Sequence, residues 1–226
     1  MLDWIEFVTE ATIHTPSSGG SLTREQFLLR EIRIVARLRA DGVPDDEIVA
    51  RAKEENIFQY PTVKMATNIA RVCLKRLDNL AQPSLQLLLA EGEGTYEDAA
   101  QCNLYAMARS YRLMRAFLAD ELAEHYRTFD YQLSRMDINA FFTRLRMRDT
   151  EADSWTDATF VKLSQVLRKS LAEAGMLASS DSEDLLPVLL EERVKQGILA
   201  NGDEDLLPAF NCMDALYAES DGGEAW

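Results

Sequence analysis

Apolar residues recur along most of this chain at the three- and four-residue spacing of amphipathic helices. The pattern predicts helices over residues 23–40, 44–56, 63–80, 96–126, 137–148 and 156–174. Thr23 is a good N-cap for the first helix, with Gln26 completing a capping box, and Thr62 is a good N-cap for the third. Only 10 Gly and 6 Pro interrupt the 226 residues, which favours long helices over a many-turned β fold.

Two short apolar runs that resemble each other follow the last of these helices. Residues 185–190 and 206–210 both contain Leu-Leu-Pro, and they are candidates for pairing as a small β-hairpin or wing, with proline confining each strand to an edge. We therefore predict a mainly α-helical bundle with two helix-turn-helix or winged-helix-like units and at most a small β-hairpin near the C-terminus. The predicted parts are a flexible N-terminal segment (residues 1–22, with a linker at 15–21), an N-terminal helical domain (23–92), a C-terminal helical domain (93–212) and an acidic tail (213–226).

The net charge of −14 is unevenly distributed. Residues 173–226 contain 13 acidic residues against two basic ones, a net charge of −11, so residues 1–172 carry only −3. A binding surface responds to its local electric field rather than to the charge summed over the chain. The acidity belongs mostly to the C-terminal end, and it does not exclude nucleic acid as a partner of the rest.

The predicted helix over residues 63–80 has a basic face. At about 100° per residue, four polar side chains fall within an arc of roughly 60°, opposite the apolar side. They are Lys64, Asn68, Arg71 and Lys75. After a preceding helix and a turn, this is the layout of helix-turn-helix recognition, in which the cations would contact phosphates and Asn68 a base edge. The alternative interpretation is a solvated face of a helix that packs by its apolar side.

The predicted helix over residues 156–174 repeats this layout. Lys162, Gln165 and Lys169 lie opposite a stripe of leucines. Together with the preceding helix and the candidate wing, this helix would form a winged-helix unit. Two such units in one chain support binding of nucleic acid through these residues and those of the first basic face.

Three arginines in the long middle helix, Arg109, Arg112 and Arg115, follow one another at a spacing of three. Either they form a stripe that faces phosphates, or they belong to a solvated face with salt bridges to nearby acids. The sequence leaves both interpretations open.

No catalytic motif stands out. The chain contains no GxSxG, Walker A or GxGxxG sequence, and neither His14 nor His125 has partners at a recurring metal-ligand spacing. Cys73, Cys102 and Cys212 are far apart and form neither a CxxC pair nor a disulfide framework. We predict a protein that is not an enzyme, with no catalytic residue, metal, cofactor or small-molecule substrate.

The same features predict a cytoplasmic protein. The odd, scattered cysteines fit a reducing compartment, and the acidic start of the chain does not resemble a secretory signal. The longest charge-free apolar stretches, within residues 80–90 and 185–190, fall short of the roughly 20 residues that cross a bilayer. We expect no membrane partner.

Many short stretches agree, in order, with one known family. They are residues 30–36, 47–48, 54–59, 67–71, 75–77, 109–114, 117, 137, 141–142, 155, 159, 162–163 and 173–177. Over roughly residues 25–210 the chain resembles the BrxA family, small components of bacteriophage exclusion (BREX) defence systems. The resemblance implies a helical, non-enzymatic protein with winged-helix-like parts that binds DNA. An older suggestion likens the family to the RNA-binding antiterminator NusB.

The resulting hypothesis is a non-enzymatic BREX component that binds double-stranded DNA through the two basic helix faces. One alternative is an adaptor that docks other BREX proteins through the acidic tail and the exposed apolar runs. The other alternative is a NusB-like RNA-binding protein. Family membership supplies no set of binding residues, so the site prediction rests on the helical faces alone.

Overall fold

Helices account for most of the chain, as predicted. The computed structural model describes residues 14–91 and 95–213. Their α-helices are α1 (Leu22–Glu25), α2 (Leu29–Ala40), α3 (Asp45–Glu54), α4 (Val63–Leu80), α5 (Pro83–Ala90), α6 (Tyr96–Ser110), α7 (Arg112–Ala116), α8 (Ala123–Arg127), α9 (Arg135–Arg148), α10 (Thr150–Asp153), α11 (Asp157–Glu173) and α12 (Glu192–Ala200). A π-helical segment (Phe117–Leu122) joins α7 to α8, and a 3-10 helix (Glu204–Phe210) follows α12. The mainly α-helical prediction is confirmed, while the predicted acidic tail from residue 214 onward and residues 1–13 lie outside the described residues.

The helices that carry the predicted basic faces begin where the sequence predicts. Thr62 caps α4, because its hydroxyl accepts a hydrogen bond from the backbone N–H of Met65 at 3.2 Å. Thr156 caps α11 through the N–H of Thr159 at 3.3 Å. Both helices bury an apolar stripe, so their orientation in the bundle is fixed by packing.

The predicted helix over residues 23–40 is divided in two. α1 begins after Ser21 rather than after Thr23, and Leu28 adopts a left-handed conformation, with φ of 56°, that separates α1 from α2. The carbonyls of residues 25–27 turn toward the buried guanidinium of Arg76, which donates a hydrogen bond to each of them. Arg76 lies 49 residues beyond Phe27, so local periodicity could not reveal the break.

The long middle helix is interrupted at Tyr111, which has an extended conformation with φ of −136° and ψ of 119°. Ser17 pairs with this interruption. Its N–H donates to the carbonyl of Ser110 at 3.0 Å, and its carbonyl accepts from the N–H of Arg112 at 2.8 Å. Backbone hydrogen bonds therefore join Ser17 of the predicted linker to the bundle, and the flexibility of residues 1–22 stays a prediction.

The two Leu-Leu-Pro runs do not pair with each other. The second run lies in the 3-10 helix, and all of residues 206–210 are buried. Leu185 of the first run forms an antiparallel bridge with Leu177, and Gln132 forms one with Asp184. The hairpin predicted between the runs is wrong, and the described residues instead contain short extended segments joined by single bridges.

The buried hydrophobic residues form one cluster along the described chain. α4 packs against α2, α3 and α6, and α5 packs against both α2 and α6. Gly197 of α12 lets that helix approach α5 closely, since a Cβ there would lie 2.6 Å from a methyl group of Leu85. These contacts cross the proposed domain boundary at residue 92, and the division into two domains stays a prediction.

No helix in the described part of the chain combines the length and the apolar character that crossing a membrane requires. Even α4, at 18 residues, carries basic side chains along one face.

Candidate nucleic-acid interface

The basic face predicted on α4 is solvent-accessible. Lys64, Asn68 and Arg71 are exposed, and Lys75 is half-buried. From Lys64 to Lys75 the face extends about 16 Å, at about 1.5 Å of rise per residue. Within the described residues, no hydrogen bond or ion pair engages any of these four side chains. The opposite side of α4 is largely buried, although Val63 and Met65 in its first turn are also exposed.

Most arginines outside α4 form ion pairs with carboxylates of this chain. Carboxylates pair with Arg30, Arg39, Arg51, Arg109, Arg112, Arg115, Arg144, Arg146, Arg148 and Arg193. A paired guanidinium contributes little to the field that an external anion meets. Because the cations of α4 have no such partners among the described residues, their charge remains available to a ligand.

The three arginines of the middle helix pair with carboxylates of this chain. Arg109 and Arg115 both pair with Asp203, at 2.7 and 2.8 Å, and Arg112 pairs with Asp149 at 3.2 Å. The salt-bridge interpretation is the correct one, although the partners come from distant parts of the chain. Asp203 also shows that part of the acidity of residues 173–226 neutralises partly buried cations.

The face predicted on α11 is also exposed, but one of its cations is partly engaged. Lys162 and Gln165 are exposed and make no hydrogen bond or ion pair with other described residues. The ammonium of Lys169 lies 3.6 Å from the carboxylate of Glu173 and 3.5 Å from the amide oxygen of Gln26. The positive field of α11 is therefore weaker than that of α4.

A cavity of about 770 Å³ lies between α9 and α11. Gln165 and Lys169 border it together with Arg135. Phe142 and Phe160 line its apolar side and pack edge to face, with ring centroids 5.2 Å apart. Two of the three predicted contact residues of α11, Gln165 and Lys169, therefore border a groove with an aromatic wall.

The chain that follows α11 folds back onto the helix through Arg168. This buried guanidinium donates hydrogen bonds to the carbonyls of Ser180 and Ser182, at 2.9 and 2.6 Å, and to that of Leu133 at 3.3 Å. Together with the single bridges, these bonds fix residues 178–183 as a loop between extended segments. The loop contains two acids and no basic residue, so it does not favour contact with phosphates.

The described structure does not join the two predicted faces. α4 packs against α2, α3, α5 and α6, whereas α11 packs against α1 and α6. α11 reaches the N-terminal part of the chain through α1 and through the contact of Lys169 with Gln26. The faces are two separate surfaces of one bundle.

Sequence reasoning missed a third group of cations, on α2. Arg30, Arg33 and Arg37 line a second cavity together with Lys169 of α11. Their spacing of three and four residues was a visible signal of a shared helix face. The neighbouring α11 could not be foreseen, because the contact joins distant segments, with Lys169 and Gln26 separated by 143 residues in the sequence.

A cluster of metal-ligating side chains was also not predicted. Oxygen and nitrogen atoms of Glu121, His125 and Asp137 lie within 4.8 Å of one another. Arg144 already pairs with Glu121, and Asp137 caps α9 through Ser134, with hydrogen bonds that lower the Asp137 pKa. The Glu121 carboxylate, 3.7 Å from Nε2 of His125, raises the pKa of that imidazole, so the cluster is explained by internal pairing. The four-residue spacing of Glu121 and His125 was its only sequence signal.

Comparison with known proteins extends these observations. A crystal structure of an uncharacterized protein from Magnetospirillum magneticum matches with a TM-score of 0.72 and 22% identity, over 88% of this chain and 100% of that chain, which establishes a shared helical fold. A BrxA family model matches residues 19–202. The chain belongs to the BrxA family, and the resemblance predicted from sequence is confirmed.

Two relatives illustrate the similarity. BREX protein BrxA of Bacillus cereus (strain H3081.97) is 31% identical over 185 residues, which cover 81% of this chain and 91% of the relative. BREX protein BrxA of Paramagnetospirillum magneticum (strain ATCC 700264 / AMB-1) is 25% identical over 186 residues, which cover 82% of this chain and 89% of the relative. Both matches extend over almost the full length of the relatives.

Proposed function

We propose that this chain is a cytoplasmic, non-enzymatic component of a BREX phage-defence system and that it binds double-stranded DNA through α4 and α11. The observation that carries the proposal is the α4 face. Lys64, Arg71 and Lys75 project from one side of a rigid helix and have no acidic partner among the described residues. Contacts of lysine and arginine with phosphates supply most of the affinity in nucleic-acid binding, and unpaired cations are suited to them.

The segment around α11 supports the same function. α9 and α11 are followed by a loop between extended segments, and the bridges connect that loop to residue 132 ahead of α9. These are the parts of a winged-helix unit, in which α11 would enter the major groove with Lys162, Gln165 and Lys169. The acidic loop makes phosphate contacts by the wing unfavourable, so we assign the contacts to the helix.

The α3–α4 pair departs from a standard helix-turn-helix. Residues 55–62 connect the two helices, whereas the motif uses a turn of about three to four residues. We therefore assign α4 mainly to phosphate contacts, which require only exposed cations at suitable spacing. Asn68 can read an adenine edge through paired hydrogen bonds, and Arg71 could read a guanine edge in the same way.

Membership of the BrxA family supports a role in BREX defence, since the matched relatives are named as BREX proteins. Other BREX proteins are the expected protein partners. The proposal assigns no chemical step to this chain.

Charge reversal of the α4 face tests the proposal. The variant K64E/R71E/K75E is expected to bind a short DNA duplex at least about 100-fold more weakly at low salt, because phosphate contacts are replaced by repulsion. The slope of log affinity against log salt should become shallower by roughly 0.9 for each phosphate that the variant no longer neutralises. Fluorescence anisotropy over a series of salt concentrations measures both quantities.

A control variant separates this effect from net charge. K53E/R127E/K195E changes the net charge by the same amount at three positions outside both faces, and these side chains have no ion-pair partner among the described residues. It should bind the duplex nearly as well as the wild type. Equal reductions of affinity in the two variants, or no duplex binding by the wild type even at low salt, would contradict the proposal.

Two alternatives have distinct signatures. An RNA-binding protein would be displaced from duplex DNA by RNA at lower concentration than by competing duplex. An adaptor is favoured by the apolar run at residues 185–190, where Leu189 is 91% exposed and Leu186 is 39% exposed. If the adaptor hypothesis is correct, L186E/L189E will abolish salt-resistant co-purification with BREX proteins and leave duplex affinity unchanged.

A further inference from the structure

A cavity of about 600 Å³ lies where α2 meets the C-terminal half of α11. α2 contributes Arg30, Arg33 and Arg37, and α11 contributes Lys169. The acids that line it are Glu31 and Glu173. Its described lining therefore carries four cations against two acids.

The acids are already engaged. Glu31 is buried and accepts a hydrogen bond from the hydroxyl of Tyr60 at 3.3 Å, with Arg30 3.9 Å away. Glu173 pairs with Lys169 at 3.6 Å. Neither acid contacts Arg33 or Arg37, so within the part of the chain that the structure describes these two arginines have no carboxylate partner at the cavity.

Arg33 has an unmet hydrogen-bonding group. Its Nη2 donates to the carbonyl of Glu91 at 3.2 Å, but its Nε is buried and has no partner among the described residues. A buried donor without an acceptor is unfavourable, and an oxygen that reaches Nε through a shift of the guanidinium would satisfy it. A phosphate oxygen is the acceptor best matched to the planar donor fork of a guanidinium.

The start of α2 adds to the attraction for an anion. Residues 28–31 line the cavity, and the N-cap residue Leu28 provides no side-chain hydrogen bond to the first turn. α2 has 12 residues, so its N-terminal end carries a partial positive charge and free N–H groups. The N-terminal end of α2 and the arginine side chains therefore both attract an anion into the same cavity.

Lys169 connects this cavity to the predicted DNA contact. It lines the α2–α11 cavity and also the groove between α9 and α11, which borders Gln165. A nucleic-acid strand lying along the exposed face of α11 would therefore pass the mouth of the α2–α11 cavity. The backbone phosphates of that strand are spaced closely enough for one of them to enter the cavity.

We propose that the α2–α11 cavity is a phosphate-binding site that holds a backbone phosphate of the DNA bound by α11, with Arg33 and Arg37 as its principal ligands. This inference rests on the proposed function for the source of the phosphate. The site itself, a cationic cavity with an unsatisfied arginine donor, stands on the geometry of α2 and α11. A free phosphate compound shares the chemistry, and the experiment separates the two sources.

The first part of the experiment uses inorganic pyrophosphate and the full chain. Nitrogen-15 NMR of arginine side chains observes the Nε–H of Arg33, assigned by its disappearance in R33Q. Pyrophosphate should shift this resonance strongly, and R33Q/R37Q should weaken pyrophosphate binding at least about tenfold. K53Q/R127Q, which removes two cations elsewhere, should leave that binding unchanged. An Arg33 resonance unaffected by saturating pyrophosphate, in a chain that is folded by circular dichroism, would overturn the site.

The second part uses a short DNA duplex. R33Q/R37Q should make the salt dependence of duplex binding shallower by roughly 0.9, the value for one phosphate contact, and pyrophosphate should compete with the duplex. An unchanged salt slope in a variant that no longer binds pyrophosphate would overturn the assignment to DNA. Failure of the proposed function gives a different result, in which the wild type binds pyrophosphate at Arg33 but binds no duplex.

Discussion

Arg76→Met is expected to lower the free energy of unfolding by about 4 kcal/mol, the largest decrease that we predict for a single substitution in this chain. Arg76 is completely buried. Its Nη1 donates to the carbonyl of Phe27 at 2.8 Å, and its Nη2 donates to those of Glu25 and Gln26 at 2.7 Å each. Methionine keeps much of the apolar stem but none of the donors, so three carbonyls would be left without their partner.

The environment of Arg76 extends beyond these carbonyls. Its guanidinium lies 5.2 Å from the ring centre of Tyr111 and donates to the Tyr111 hydroxyl, which itself donates to Glu25 at 2.7 Å. Burial raises the pKa of Tyr111 to about 12, which keeps this hydroxyl protonated across the physiological range. The side chain therefore joins the α1–α2 connection, α4 and the break in the middle helix.

Urea denaturation followed by circular dichroism measures the predicted decrease. Arg71→Met is the matched control, since it makes the same substitution on the same helix at an exposed position without a partner among the described residues. It should change the unfolding free energy by less than about 0.5 kcal/mol. Similar decreases in the two variants would show that Arg76 contributes nothing beyond an ordinary helical arginine.

Arg76 also shows how far the sequence predicts this fold. Periodicity located α4 and α11, because an amphipathic helix is defined by residues within its own length, and Thr62 was recognised as the cap of α4. Periodicity did not predict the helix breaks at Leu28 and Tyr111, because side chains and backbone from distant segments create them. One signal was available: at about 100° per residue, Arg76 falls on the apolar side of α4, next to Ile69.

The candidate site likewise has features that local sequence predicts and features that depend on distant contacts. The exposed cations of α4 follow from a helical projection, since a charged face opposite a buried stripe must meet solvent. The pairing of Arg109 and Arg115 cannot be predicted from a helical projection, because their acidic partner, Asp203, lies 94 and 88 residues away in the sequence. Counting charge by segment assigned Asp203 to an acidic end of the chain, whereas packing places it among cations. Local pattern predicts which side chains are exposed, and tertiary contacts decide which charges remain free.

Asp203→Ala is expected to lower the free energy of unfolding by about 3 kcal/mol, because it leaves partly buried cations without their counter-charge. The Asp203 carboxylate accepts hydrogen bonds from the Tyr105 hydroxyl at 2.7 Å, from Arg109 at 2.7 Å and from Arg115 at 2.8 Å. Only 9% of Asp203 is exposed, so water cannot replace these bonds without opening the structure.

Asp205→Ala provides the comparison. Asp205 also pairs with Arg115, at 2.7 Å, but its side chain is 52% exposed, and exposed ion pairs contribute about 1 kcal/mol or less. Urea denaturation should therefore separate the two variants clearly, and equal decreases would contradict a special role for the buried carboxylate. Because Asp203 ties the connection between α12 and the 3-10 helix to α6 and α7, Asp203→Ala should also speed proteolysis after α12. Asp205→Ala should leave that cleavage rate close to the wild type, since the buried network around Asp203 stays intact.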